Sequence, residues 1–139
     1  MLNESLTLDT YQIDSLKKLS ISSLPFETCA LLIGEKFGNE NIVKNILPLN
    51  NSVQSSIAFI IEPDELFDAY QKSKKMNLDV ISIFHSHPNN PYPSETDKIY
   101  MLLNPVIWII YSTMYDTFKS FITDKRNEIR EVQINLFKD

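Results

Sequence analysis

The sequence predicts a single mixed α/β domain, with a mainly antiparallel sheet and about three helices. Three observations carry this. Short apolar runs of strand length alternate with amphipathic stretches at helical spacing. Adjacent hairpins follow one another near the C-terminus, which requires antiparallel pairing. A length of 139 residues, 43% of them hydrophobic and 22% charged, suits one core and leaves no room for a second domain of ordinary size, so 1–139 is read as one domain.

The elements follow in order. "SLTLDT" reads as a short strand. In "YQIDSLKKLSIS", Ile13, Leu16 and Leu19 share a helical face, and Pro25 breaks the helix. "FETCALLIG" is apolar on both parities, which marks a strand buried on both faces and central in a sheet. "EKFGNEN" turns at Gly38-Asn39. "IVKNILPL" is a strand ended by Pro48, "NNSVQSS" a polar loop, and "IAFII" a further strand. Pro63 opens a helix, where its missing N–H costs little, and "DELFDAYQKSKKM" continues it. "DVISIF" is a buried strand, and "SETDKIYMLLN" begins a helix at Ser94. "VIWIIYS", "FKSFIT" and "EIREVQINLF" are strands joined by the turns "TMYDT" and "DKRN".

Composition removes several function classes. A net charge of −5 and a pI near 5.0 argue against a nucleic-acid binder. "KSKK", Lys72 to Lys75, is read as the solvated face or C-terminal end of a helix. Two glycines leave no Gly-rich phosphate loop. One cysteine, Cys29, allows neither an internal disulfide nor a Cys-based zinc site, and is read as packing. The N-terminus lacks a basic region followed by an apolar run, and "VIWIIY" is too short to span a bilayer. The expectation is a cytoplasmic protein with no membrane partner. Trp108 is read as core.

The chemistry gathers in "FHSHPNNPYPSETD", Phe84 to Asp97, which holds both histidines of the chain. Residues i and i+2 of a strand point the same way. His85 and His87 at the end of "DVISIF" can therefore offer two imidazoles to one ion, and Pro88 ends the strand where a site can open to solvent. A catalytic zinc takes three protein ligands and keeps a fourth position for water. Asp97 is a candidate third ligand, one helical turn from Ser94. "S-x-x-D" is also close to a capping box, so these residues alone leave a proline-rich turn and a metal site both open. A general base is needed as well. Glu27, at the mouth of a buried strand, would be partly desolvated with a raised pKa; the plain alternative is an exposed acid at an element boundary.

Together, "PFETCALLIG" and "HSHPNNPYPSETD" resemble the JAMM motif of the MPN+ metallopeptidases: an upstream Glu, then H-x-H-P, then S-x-x-D. Pro25, Glu27, Cys29, Leu31, Leu32 and Gly34 match the upstream piece, and the resemblance extends from about Leu24 to Thr123. It implies that His85, His87 and Asp97 bind one catalytic Zn2+ with a bound water, that Glu27 is the general acid/base, and that Ser94 steadies the oxyanion. It also implies a curved, mainly antiparallel mixed sheet flanked by about three helices, of the cytidine-deaminase-like kind. Two departures stand out. The family usually has ten residues between the second His and the Asp, and here there are nine; Ala30 replaces the usual Gly after the Cys.

The function so implied is zinc-dependent hydrolysis of the bond after the C-terminal tail of a ubiquitin-like protein, a desampylase-like deconjugation. The alternatives are a peptidase that processes the C-terminus of a sulfur-carrier protein, a metal-free MPN module that only binds partners, and the RadC-like branch, against which the PxExC piece counts. A substrate tail could pair along a sheet edge, with "NNSVQSSIAF" and the turn Asn89 to Pro93 as candidate groove segments.

Overall fold

The computed structural model describes residues 3–50 and 62–138. In chain order the elements are β1 (Ser5–Asp9), α1 (Thr10–Ser23), β2 (Cys29–Phe37), β3 (Glu40–Leu49), α2 (Pro63–Lys75), β4 (Asp79–His87), α3 (Glu95–Leu103), β5 (Ile107–Ser112), β6 (Thr117–Thr123) and β7 (Ile129–Phe137). The expected strand "IAFII" and most of the loop before it lie outside the described residues.

The strands run β1-β3-β2-β4-β5-β6-β7, and β7 pairs with β1, so the curved sheet closes on itself. Pairing is mixed: β1–β3, β1–β7 and β4–β5 are parallel, whereas β2–β3, β2–β4, β5–β6 and β6–β7 are antiparallel. The β2 strand is central, as its unbroken apolar run requires, and Cys29 to Gly34 are all buried.

Local chemistry sets the boundaries. Gly38, at φ 61°, takes the first position of the two-residue turn between β2 and β3, a conformation glycine adopts without a Cβ penalty. Pro48 lies inside β3 rather than ending it; among the described residues β1 covers β3 only through Glu40 to Ile42, and Pro48 lies beyond that stretch. Asp9 caps α1 and forms a capping box with Gln12. Helix α2 begins at Pro63 and ends with Lys72, Lys74 and Lys75 in its last turn, where cations suit the helix dipole. The Leu78 N–H then donates to the Ser73 carbonyl and the Asn77 N–H to Lys74, a Schellman closure with Asn77 at φ 56°.

Two apolar layers flank the sheet. One joins Leu6, Leu8 and Leu16 of β1 and α1 to Phe84, Ile109 and Val132. The other joins Ala69 of α2 and Met101 of α3 to Ile33, Ile83, Trp108 and Phe121. Trp108 and Cys29 both lie fully buried in this second layer. Among the described residues, no helix is long and apolar enough to cross a membrane.

Candidate metal centre

The β4 strand is hydrogen-bonded on one side to β2 and on the other to β5. Its last residues are His85 and His87, whose i, i+2 spacing turns both rings to one face of the sheet. The rings meet edge-on with centroids 4.6 Å apart. Trp108 of β5 stands edge-on to His85 at 5.8 Å, so a buried indole forms the wall behind that imidazole.

After Pro88 the loop turns back and delivers α3 to the same place. Ser94 caps α3: its Oγ accepts from the Asp97 N–H at 3.1 Å, and Asp97 Oδ2 accepts from the Ser94 N–H at 2.8 Å. The same Oδ2 lies 3.1 Å from His85 Nε2 and 3.0 Å from His87 Nε2. The capping box and the metal-site geometry are therefore one arrangement and not alternatives. The nine-residue spacing from His87 to Asp97 brings the carboxylate into contact with both rings.

Glu27 sits just before β2. Ser86, between the two histidines, fixes it there: the Thr28 N–H donates to Ser86 Oγ at 3.0 Å, and the Ser86 N–H donates to the Thr28 carbonyl at 3.0 Å. Donor atoms of Glu27, His85 and His87 all lie within 4.8 Å of one another. Glu27 is buried, not exposed at an element boundary. Glu27, His87, Asn89, Asn90, Tyr92, Pro93 and Ser94 line a cavity of about 250 Å³. The turn Asn89 to Pro93 thus borders the site; the other expected groove segment, "NNSVQSSIAF", lies outside the described residues beyond Asn50. A larger cavity of about 380 Å³, between β6 and β7, holds none of these groups.

Electrostatics separate the two carboxylates. Burial pushes Glu27 up to about 7; the His87 charge opposes this and the Asp97 charge adds to it. Burial would raise Asp97 as well, but its bonds to His85 and His87 and to the Ser94 N–H hold it well below the usual carboxylate range. Desolvation lowers His85. It would also lower His87, yet the Asp97 bond and charge, the Glu27 charge and the Asn90 carbonyl outweigh it and raise that ring.

The donor set fits a small divalent ion. The His85 Nε2–His87 Nε2 distance is 2.9 Å, so Nε2, Nε2 and Oδ2 form a nearly equilateral triangle. Three ligands of a tetrahedral zinc lie roughly 3.3 Å apart. Asn90 accepts from His87 Nδ1 at 3.1 Å, which leaves Nε2 facing Asp97, with a proton for the carboxylate or a lone pair for a cation. Lone pairs converging at 3 Å repel one another unless a proton or a cation sits among them. These residues could hold a metal ion, and a carboxylate kept ionised beside two imidazoles is what such an ion binds.

Residues 13–126 match the family described as prokaryotic homologs of the JAB domain. The chain belongs to this family. It is 36% identical over 115 residues to a protein named desampylase from Pyrococcus furiosus, covering 82% of this chain and 79% of that one. A solution structure from Desulfitobacterium hafniense superposes with a TM-score of 0.85 at 30% identity, covering 96% of this chain and 94% of the other. The fold is also that of a JAB1/MPN domain protein from Archaeoglobus fulgidus, with a TM-score of 0.59 at 20% identity over 94% and 98% of the two chains. The JAB domain is the MPN-type α/β fold expected from the motif, here with its sheet closed into a barrel.

Proposed function

We propose that the protein is a zinc-dependent isopeptidase that hydrolyses the bond after the C-terminal tail of a ubiquitin-like protein. The observation that carries this is the convergence of His85 Nε2, His87 Nε2 and Asp97 Oδ2 within 3.1 Å, beside a buried Glu27 whose pKa is raised to about 7. The 36% identity to the desampylase of Pyrococcus furiosus supports the substrate class.

His85, His87 and Asp97 would hold the zinc. When bound, the ion supplies Lewis acidity, polarising the scissile carbonyl and acidifying a coordinated water. Asp97 serves as a ligand because it is already ionised and anchored by the Ser94 N–H. Glu27 takes the proton of the attacking water and delivers it to the leaving amine, a role that suits a pKa near neutrality. Ser94 Oγ uses a lone pair on the Asp97 N–H, so its own O–H remains to donate to the oxyanion as charge develops. A cavity of about 250 Å³ is small, which favours tail residues with little or no side chain.

The test is mass spectrometry of linear and lysine-linked fusions of a ubiquitin-like protein, with and without a chelator, alongside the zinc content of the purified protein. Chelator-sensitive release at the lysine linkage is expected. Release from linear fusions alone would favour tail processing, as for a sulfur-carrier protein. Neither release nor stoichiometric zinc would leave a binding module.

A further inference from the structure

We infer that Ser112, at the end of β5, is a positioning residue that sets the tautomer and aim of His87 through the loop of residues 88–93. Ser112 is fully buried and lies opposite His87 in the parallel β4–β5 ladder. Its hydroxyl does two things. It accepts from the Tyr115 N–H at 3.0 Å, closing the β5–β6 turn, and it donates to the Asn89 carbonyl across the sheet. The next carbonyl along, that of Asn90, receives His87 Nδ1. The Thr113 N–H donates to the His87 carbonyl at 3.0 Å, so the end of β5 grips both the backbone of His87 and the loop its ring leans on.

The consequence follows from the imidazole itself. A neutral ring carries one proton, on Nδ1 or on Nε2, and the partner of Nδ1 decides which. Only the Nδ1–H form presents the Nε2 lone pair to the site. The Asn90 carbonyl enforces that form only while the loop keeps it in place. That loop runs from Pro88 to Pro93 and lines the cavity; among the described residues its other contacts include the Tyr92 N–H donated to Asn90 Oδ1 within the loop itself, and the Tyr92 ring, which leans on Phe121 at 6.1 Å and lies 5.9 Å from Lys119 Nζ. Ser112 is the buried hydroxyl tying it to the sheet. A serine whose only duty was the turn would need the Tyr115 bond and not the Asn89 bond.

The consequence for zinc rests on the isopeptidase reading; the tautomer does not. The chain has only two histidines, so nitrogen-15 spectra of the ring nitrogens resolve both rings in metal-free protein. In the wild type, His87 Nδ1 is expected to carry a proton, in the neutral Nδ1–H tautomer or in the imidazolium that Asp97 beside Nε2 stabilises. Ser112→Ala should bring in the Nε2–H tautomer of His87, with Nδ1 no longer protonated throughout the population. Its zinc affinity, by chelator competition, should fall about 10-fold or more, as on loss of an outer partner of a ligand. Ser112→Thr keeps the hydroxyl and should restore both readouts. If Ser112→Ala lowers only the melting temperature, with the His87 tautomer and zinc affinity unchanged, the residue is merely structural and the inference fails. Should the alanine variant not fold, Ser112→Cys, similar in size and a weak donor, carries the same two readouts. A wild type that binds no zinc would sink the isopeptidase reading while the tautomer measurement still decides the role of Ser112.

Discussion

Glu27 and Asp97 are carboxylates facing the same two histidines, and their surroundings drive them apart. Asp97 has two imidazoles and a backbone N–H to stabilise its charge; Glu27 has burial as its largest influence. In the proposed reaction Glu27→Gln should cut turnover by about 10² to 10⁴-fold while retaining zinc, as checked by single-turnover cleavage and metal analysis. An undiminished rate would remove Glu27 from the mechanism. Burial has a second consequence. The pKa of Glu27 rises from 4.5 to about 7, so between those values the unfolded chain releases a proton that the folded protein keeps. Stability from this site is full below the lower value and is lost as pH rises through the upper one. Metal-free Glu27→Gln should therefore gain stability over metal-free wild type as pH rises from about 5 to about 8, read from denaturant midpoints with chelator present. A margin that does not change with pH would contradict the raised pKa. At this scale the sequence was informative where spacing alone fixes direction: His85 and His87 share a face by strand parity. Ser86 and Ser112 were not legible, because a serine in a strand gives no sign of its partner across the sheet.

The N-terminus of α3 does two jobs with one carboxylate. Asp97 closes the capping box with Ser94 and reaches both histidines with the same oxygen. The jobs separate by substitution. Asp97→Asn keeps an oxygen for the Ser94 N–H, so α3 should hold, while zinc affinity should fall by more than tenfold for want of the charge. Asp97→Ala should lose the zinc ligand and the acceptor of the Ser94 N–H, with about 1 kcal/mol of stability going with that half of the capping box. Denaturation and chelator competition on the pair distinguish these outcomes; equal stability of the two variants would show that the Asp97 side chain contributes nothing to the cap. The motif S-x-x-D pointed to either job, and its spacing alone could not reveal that one atom serves both. The start of α1 shows a different shortfall. The apolar period placed the helix and "SLTLDT" the strand, but Thr10 belongs to the helix, and Asp9 ends β1 and caps α1 at once because the two abut with no loop between them.

The whole sheet depends on a close approach at Gly34. The ladder shifts register on both sides of β2 here, between Ile33 and Gly34 against β3 and between Leu32 and Ile33 against β4. Such bulges bend a sheet toward closure. A Cβ on Gly34 would meet the Ile42 carbonyl oxygen at 1.8 Å, and that neighbour is backbone. Gly34→Ala should cost about 1 to 3 kcal/mol or more, measured by urea denaturation; a wild-type midpoint would refute the close approach. The places of the described strands along the chain could be read from the apolar runs. Closure could not, because β1 inserts parallel between β3 and β7, and the alternation of a five-residue strand names no partner. That insertion bears on the order of folding. The pairing of β1 with β7 joins residues 5–9 to 133–137, among the longest loops the chain must close. The β2–β4–β5 stack that carries the histidines spans far less sequence. Pulse-labelled hydrogen exchange during refolding should therefore protect the amides of Ile83 and Ile109 before those of Leu6 and Leu8, so that the reactive end of the molecule takes shape while its barrel is still open.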